Sequence, residues 1–143
     1  NARSMTMYRM QYPKLWLGLG WGLVALVVIL SLLPGKTLHD FNILVSDKIQ
    51  HAFAYATVMI WFAGIYRSSS YRWIVPGLVL MGIGLEFLQL KYFHRQFEVR
   101  DMVANTAGVL AGLVLARYVF SGWCARVEQL VMGRGAGDDS NGG

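Results

Sequence analysis

Charge is scarce in this chain. Only 15% of its 143 residues are Asp, Glu, Lys or Arg, against roughly 25% in soluble domains. That is too few to coat a soluble globule of this length. The one cysteine, Cys124, excludes a disulfide-stapled scaffold. Three prolines beside 55% hydrophobic residues exclude a disordered or proline-rich segment. The net charge of +5 does not point to nucleic acid, because the basic residues sit between apolar runs instead of gathering on one aqueous face. No nucleic-acid partner is expected.

What the chain has in place of charge is long apolar runs. Leu15–Leu33 and Ile49–Tyr66 carry no charged residue, Trp73–Leu90 carries only Glu86, and Met102–Phe120 only Arg117. As helices rising ~1.5 Å per residue these runs are about 27–28 Å long, close to the ~30 Å hydrocarbon thickness of a bilayer. The expected fold is therefore all-α: a polytopic membrane protein with a four-transmembrane-helix bundle over residues 15–120, with spans at about 15–33, 49–66, 73–90 and 102–120. The second is the least apolar, since Gln50 and His51 sit in its first turn. The first is too long for a signal-peptide core and lacks a small-x-small cleavage site near Ser31–Lys36, so it is expected to remain as a span.

Lys and Arg set the orientation. With residues 1–14 as a cytoplasmic N-terminal segment, eight basic residues fall inside and five outside. The expectation is a bacterial inner-membrane protein with both termini cytoplasmic. Beyond the last span, Trp123, Val127, Leu130 and Val131 recur at helical spacing. Residues 121–132 thus read as an amphipathic interfacial helix or as an extension of the fourth span, and 133–143 as a flexible Gly-rich tail.

Polar residues inside apolar runs are the informative ones, because a membrane penalises them. Asp47, His51 and Tyr55 are spaced i, i+4, i+8 and form a ladder on one helical face. Glu86 and Gln89 share a face near the end of the third run. Asp101, Asn105, Gly108 and Gly112 descend one face of the fourth, and Arg95 and Glu98 stand in the segment just before it. All belong to one end of the bundle. They compose either a polar pocket open to the outer leaflet or a hydrogen-bonded cluster that locks three helices together. Gly18 and Gly22, and separately Gly108 and Gly112, mark faces for close packing with a neighbouring helix, a partner membrane protein or a second copy.

Three motifs carry a family resemblance. Asp47-Lys48-x-x-His51-x-x-x-Tyr55 resembles the opening D-K-x-x-H-x-x-x-Y of VanZ-like membrane proteins, and Glu86-x-x-Gln89 resembles their E-x-x-Q. Arg95-x-Phe97-Glu98-x-x-Asp101-x-x-x-Asn105-x-x-Gly108-x-x-x-Gly112 is similar to their third block, R-x-F-[D/E]-x-x-D-x-x-x-N-x-x-G-x-x-x-G. The motifs lie in the family's order over residues 31 to 115. The resemblance implies a small four-span protein of the bacterial envelope, in a family named for teicoplanin resistance, and implies no settled reaction.

Three functions are compatible with these residues. A non-catalytic pocket would bind membrane lipids or a lipid-linked envelope precursor, with Arg95 meeting a phosphate and Asp47, His51, Tyr55, Glu86, Gln89, Glu98, Asp101 and Asn105 shaping the site. An enzyme on a phosphorylated or esterified lipid would use His51 as general acid or base, oriented by Asp47 or Glu86. An accessory subunit would use the glycine faces to join a larger complex. No nucleophile elbow, P-loop or H-E-x-x-H motif occurs in the sequence, and neither metal nor cofactor is expected.

Overall fold

The computed structural model describes residues 5–33, 47–92 and 98–138. Arg95 and the side chain of Asp47 lie outside the described residues, as do the side chains from 134 onward. The described chain is helical: α1 (Pro13–Leu32), α2 (Asp47–Ile65), α3 (Tyr71–Tyr92), α4 (Val99–Leu115) and α5 (Trp123–Asp138). Pro13 at the start of α1 supplies a preset φ where no N–H partner is needed. Leu33, next to Pro34, turns extended (φ −67°, ψ 147°) as the residue before proline must. Asp101 lies in the first turn of α4, where a carboxylate complements the helix dipole.

After α4 the helix widens to a π-turn over Ala116–Phe120, and the chain reverses at Gly122 (φ +65°). A side chain there would be strained, and its Cβ would also stand 3.0 Å from the Tyr8 ring. Arg126 donates to the carbonyls of Val119 (3.0 Å) and Ser121 (2.9 Å), which have lost their helical donors. Helix α5 begins directly after this turn, at Trp123. It runs to Asp138; once a helix is nucleated, each further residue adds a backbone hydrogen bond.

Helix α2 is the axis of the bundle. Val58, Met59, Ala63 and Ile65 are fully buried, while α1, α3 and α4 turn Leu19, Ile29, Leu80, Phe87, Val103 and Val114 outward. Glu86, Gln89, Asp101 and Asn105 are buried instead. Polar inside and apolar outside is the arrangement a lipid solvent favours. Three helical stretches, Pro13–Leu32, Ser68–Tyr92 and Val99–Gly133, are long and apolar enough to cross a membrane. Helix α2 is not among them, because Asp47, Lys48, Gln50 and His51 occupy its first turns.

Close packing uses glycine selectively. A Cβ at Gly108 would meet the Ala52 backbone, and one at Gly112 would stand 2.8 Å from the Ala56 carbonyl oxygen, so α4 lies directly on α2. That face is consumed within the chain. Gly18 and Gly22 have nothing within 4 Å of an added Cβ; Gly20 makes the contact of α1 with α2, against Trp61.

The two ends of the bundle differ. At the proximal end, which holds the start of α1, residues 5–12 form a strap across the α2–α3 connection, with Tyr8 N donating to Ile65 O (2.9 Å) and Arg67 N to Thr6 O (2.8 Å). The Glu128 carboxylate of α5 accepts from Gln11 N (2.6 Å), Tyr12 N (3.0 Å) and Trp16 Nε1 (2.8 Å). Burial alone would raise the Glu128 pKa, but these three donors outweigh it and hold it below the usual carboxylate range. Trp16, Trp61 and Trp123 pack together, with ring centroids 5.1–5.9 Å apart. The distal end, where α2 and α4 begin and α3 finishes, carries the polar residues.

Candidate functional site

The distal cluster is built in levels, because helical spacing drops one side chain per turn into the same cleft between α2, α3 and α4. At the rim, Lys48 Nζ lies 2.5 Å from Glu98 Oε2 and also hydrogen-bonds Asp101 Oδ1. The Asp101 side chain is buried, whereas Lys48 and Glu98 reach solvent. Partial burial pulls the Lys48 pKa down, but the two carboxylates outweigh it and the ammonium titrates above its ordinary range.

One turn deeper, His51 Nδ1 and Asn105 Oδ1 are 3.1 Å apart. The partner of this imidazole nitrogen is therefore an amide oxygen. Below them Tyr55 is 1% exposed, and its hydroxyl has no hydrogen-bond partner among the described residues. A Cβ at Gly82 would stand 3.2 Å from Asn105 Nδ2 and 3.3 Å from Tyr55 Oη, so glycine lets these two polar groups pack closely against α3. Glu86, one turn further along α3 and 2% exposed, acts electrostatically on the Tyr55 hydroxyl.

Gln89 serves a different purpose. Its Nε2 donates to Ser31 O (2.5 Å), one of the carbonyls that the end of α1 leaves without a helical donor. It fastens α1 to α3 beside the cluster.

The structure thus brings His51, Tyr55, Glu86, Gln89, Glu98, Asp101 and Asn105 to one end of the bundle, as their spacing suggested. Lys48 was not among the sequence candidates. Its partners lie 50 and 53 residues away, and its i, i+3, i+7 relation to His51 and Tyr55 was the available signal. Among the described residues no group of three or more His, Cys, Asp or Glu could hold a metal ion.

No protein-family model, no curated protein and no solved structure matches the chain.

Proposed function

We propose that the chain is a four-span protein of the bacterial cytoplasmic membrane, both termini cytoplasmic, whose distal cluster binds a lipid or lipid-linked headgroup without transforming it. The carrying observation is Tyr55: a hydroxyl 1% exposed, with no hydrogen-bond partner among the described residues, set among the buried Glu86, Asp101 and Asn105. Leaving a buried hydroxyl unsatisfied costs about 1–3 kcal/mol, and a bound polar group would recover that loss. Lys48 at the rim is already held by Glu98 and Asp101, so Arg95, in the segment before α4, is the cation that the sequence offers to a phosphate.

Helix α2 counts as the fourth span. Lys48, His51 and Tyr55 meet α3 and α4, so the bilayer would not meet these three side chains. Holding a headgroup asks less chemistry of the cluster than acid–base catalysis does, and His51 Nδ1 already contacts the Asn105 amide oxygen. The VanZ-like motifs extend the proposal to envelope modulation of the glycopeptide-resistance type.

The test is native mass spectrometry of protein extracted gently from its own membrane. A phosphate-bearing lipid retained by the wild type and absent from Glu86→Gln and Arg95→Ala is expected. Stoichiometric protein partners without any retained lipid would overturn the proposal and favour an accessory subunit.

A further inference from the structure

Helix α5 divides into three stripes around its axis. Cys124, Glu128 and Met132 recur at i, i+4, i+8 and turn inward; Cys124 is fully buried and the other two are partly so. Val127, Leu130 and Val131 form a second stripe, 38%, 67% and 68% exposed. Arg126, Gln129 and Gly133 form the third, exposed as well. At about 100° per residue the centres of the three stand roughly a third of a turn apart. A helix packed on a bundle in water needs only a buried stripe and a polar one. The exposed apolar stripe calls for another surrounding.

The partners of α5 fix its level. Gly122 N donates to Ala63 O (3.1 Å), and a Cβ at Gly64 would stand 2.6 Å from Cys124 Sγ, so α5 starts against the last turn of α2. Further on, Glu128 holds Gln11 N and Tyr12 N, just before α1 begins. Met132 lines a groove with Arg9 and Met10 of the strap, which Tyr8 N ties to Ile65 O. The helix thus crosses the proximal end at the level where α1 starts and α2 finishes. Trp123 fixes its rotation. The indole nitrogen donates to Ile60 O (3.0 Å), more than a turn inside the end of α2, and the ring packs on Trp16 and Trp61. Val127 and Leu130, at i+4 and i+7, share that side of the helix. The apolar stripe therefore looks along the spans toward hydrocarbon depth, and the stripe of Arg126 and Gln129 is turned away from it. Tyr118, Val119 and Phe120, just before the turn, are exposed too, so apolar surface reaches the point from which α5 departs.

We infer that α5 is seated in the leaflet at the proximal end, with Val127, Leu130 and Val131 in the acyl layer and Arg126 and Gln129 among the headgroups. The inference rests on the membrane reading above but uses none of the distal residues. Its occupant is the lipid surface itself, since an interfacial helix carries this pairing of apolar and polar stripes and the stripe faces the depth at which acyl chains begin.

The experiment labels the full chain with bimane at Leu130→Cys, Gln129→Cys or, as a control on the exposed face of α4, Leu110→Cys; the buried Cys124 of the wild type gives the background. Each is reconstituted in phosphatidylcholine–phosphatidylglycerol vesicles and quenched by a lipid with a doxyl group on its acyl chain, or by iodide on both sides of the bilayer. Doxyl quenching about threefold or more stronger at 130 than at 129, with the reverse order for iodide, is expected. Iodide quenching at 130 as strong as at 129, with 110 still quenched by the lipid, would overturn the inference and leave the spans in place. Absence of lipid quenching at 110 as well would overturn the membrane reading along with it. Shielding of 130 from both quenchers would overturn the inference in favour of a protein contact, such as a second copy of the chain. If the label at 130 unfolds the chain, Val131→Cys reads the same stripe and decides by the same criteria.

Discussion

Replacing Gly108 by alanine should separate the two helices on which the cluster is built. A Cβ there would run into the Ala52 carbonyl oxygen and stand 2.7 Å from both Ala52 Cα and its carbonyl carbon. Ordinary contact begins near 3.4 Å, so α4 and α2 must part by at least about 0.7 Å. The obstacle is backbone and no rotamer change relieves it. Overpacking a well-filled core costs about 1–3 kcal/mol and occasionally more. Set against this, alanine gains up to ~1 kcal/mol over glycine in helix propensity. The expected net loss is roughly 1–2 kcal/mol, or about 2–8 °C in apparent melting temperature at 2–4 °C per kcal/mol. Gly18→Ala is the internal control. Nothing lies within 4 Å of its Cβ, so only the propensity gain operates and its midpoint should rise or stay level. Melting both variants in one detergent by intrinsic fluorescence tests the contrast. Equal midpoints for Gly108→Ala and Gly18→Ala would refute the close α2–α4 approach.

Further predictions concern the two ends. The Lys48 pKa is raised in the fold, so its contribution to stability is complete below pH 10.5 and is lost as pH rises through the higher folded value. Lys48→Met should flatten that alkaline loss in a melting series across pH. The Glu128 pKa is lowered, so its contribution is complete above pH 4.5 and is lost as pH falls through the folded value. Glu128→Gln should abolish this acid-side dependence and release Trp16, read as a change in tryptophan emission; an unchanged acid titration would argue against the strap contact.

Legibility from sequence followed the range of the interactions. Helices α1, α3 and α4 were readable from apolar runs, since each buries or exposes a continuous stretch of its own residues. The central place of α2 was not, because the helix with the most polar first turns reads as the weakest span until its partners are known. The distal ladder was legible because His51 and Tyr55, and Asp101 and Asn105, each obey a local helical period. The Lys48 pairing, the Gln89 bond to Ser31 O and the Glu128 contact with the N-terminal strap join residues 50 to more than 100 positions apart, and no local pattern encodes them. Gly18 and Gly22 fitted a packing motif, yet Gly20, outside any motif, touches α2; rotation of the helix decides which face is used.

Ligand retention by Tyr55→Phe most directly separates a binding site from helix glue. The substitution removes a buried hydroxyl that has no partner among the described residues, so the empty protein should melt at the wild-type temperature or slightly above it. Native mass spectrometry of the same preparation should then find that a phosphate-bearing lipid held by the wild type has been lost. A melting temperature lowered by several degrees, with no lipid on either protein, would contradict the binding site and leave Tyr55 as part of the bundle's internal bracing.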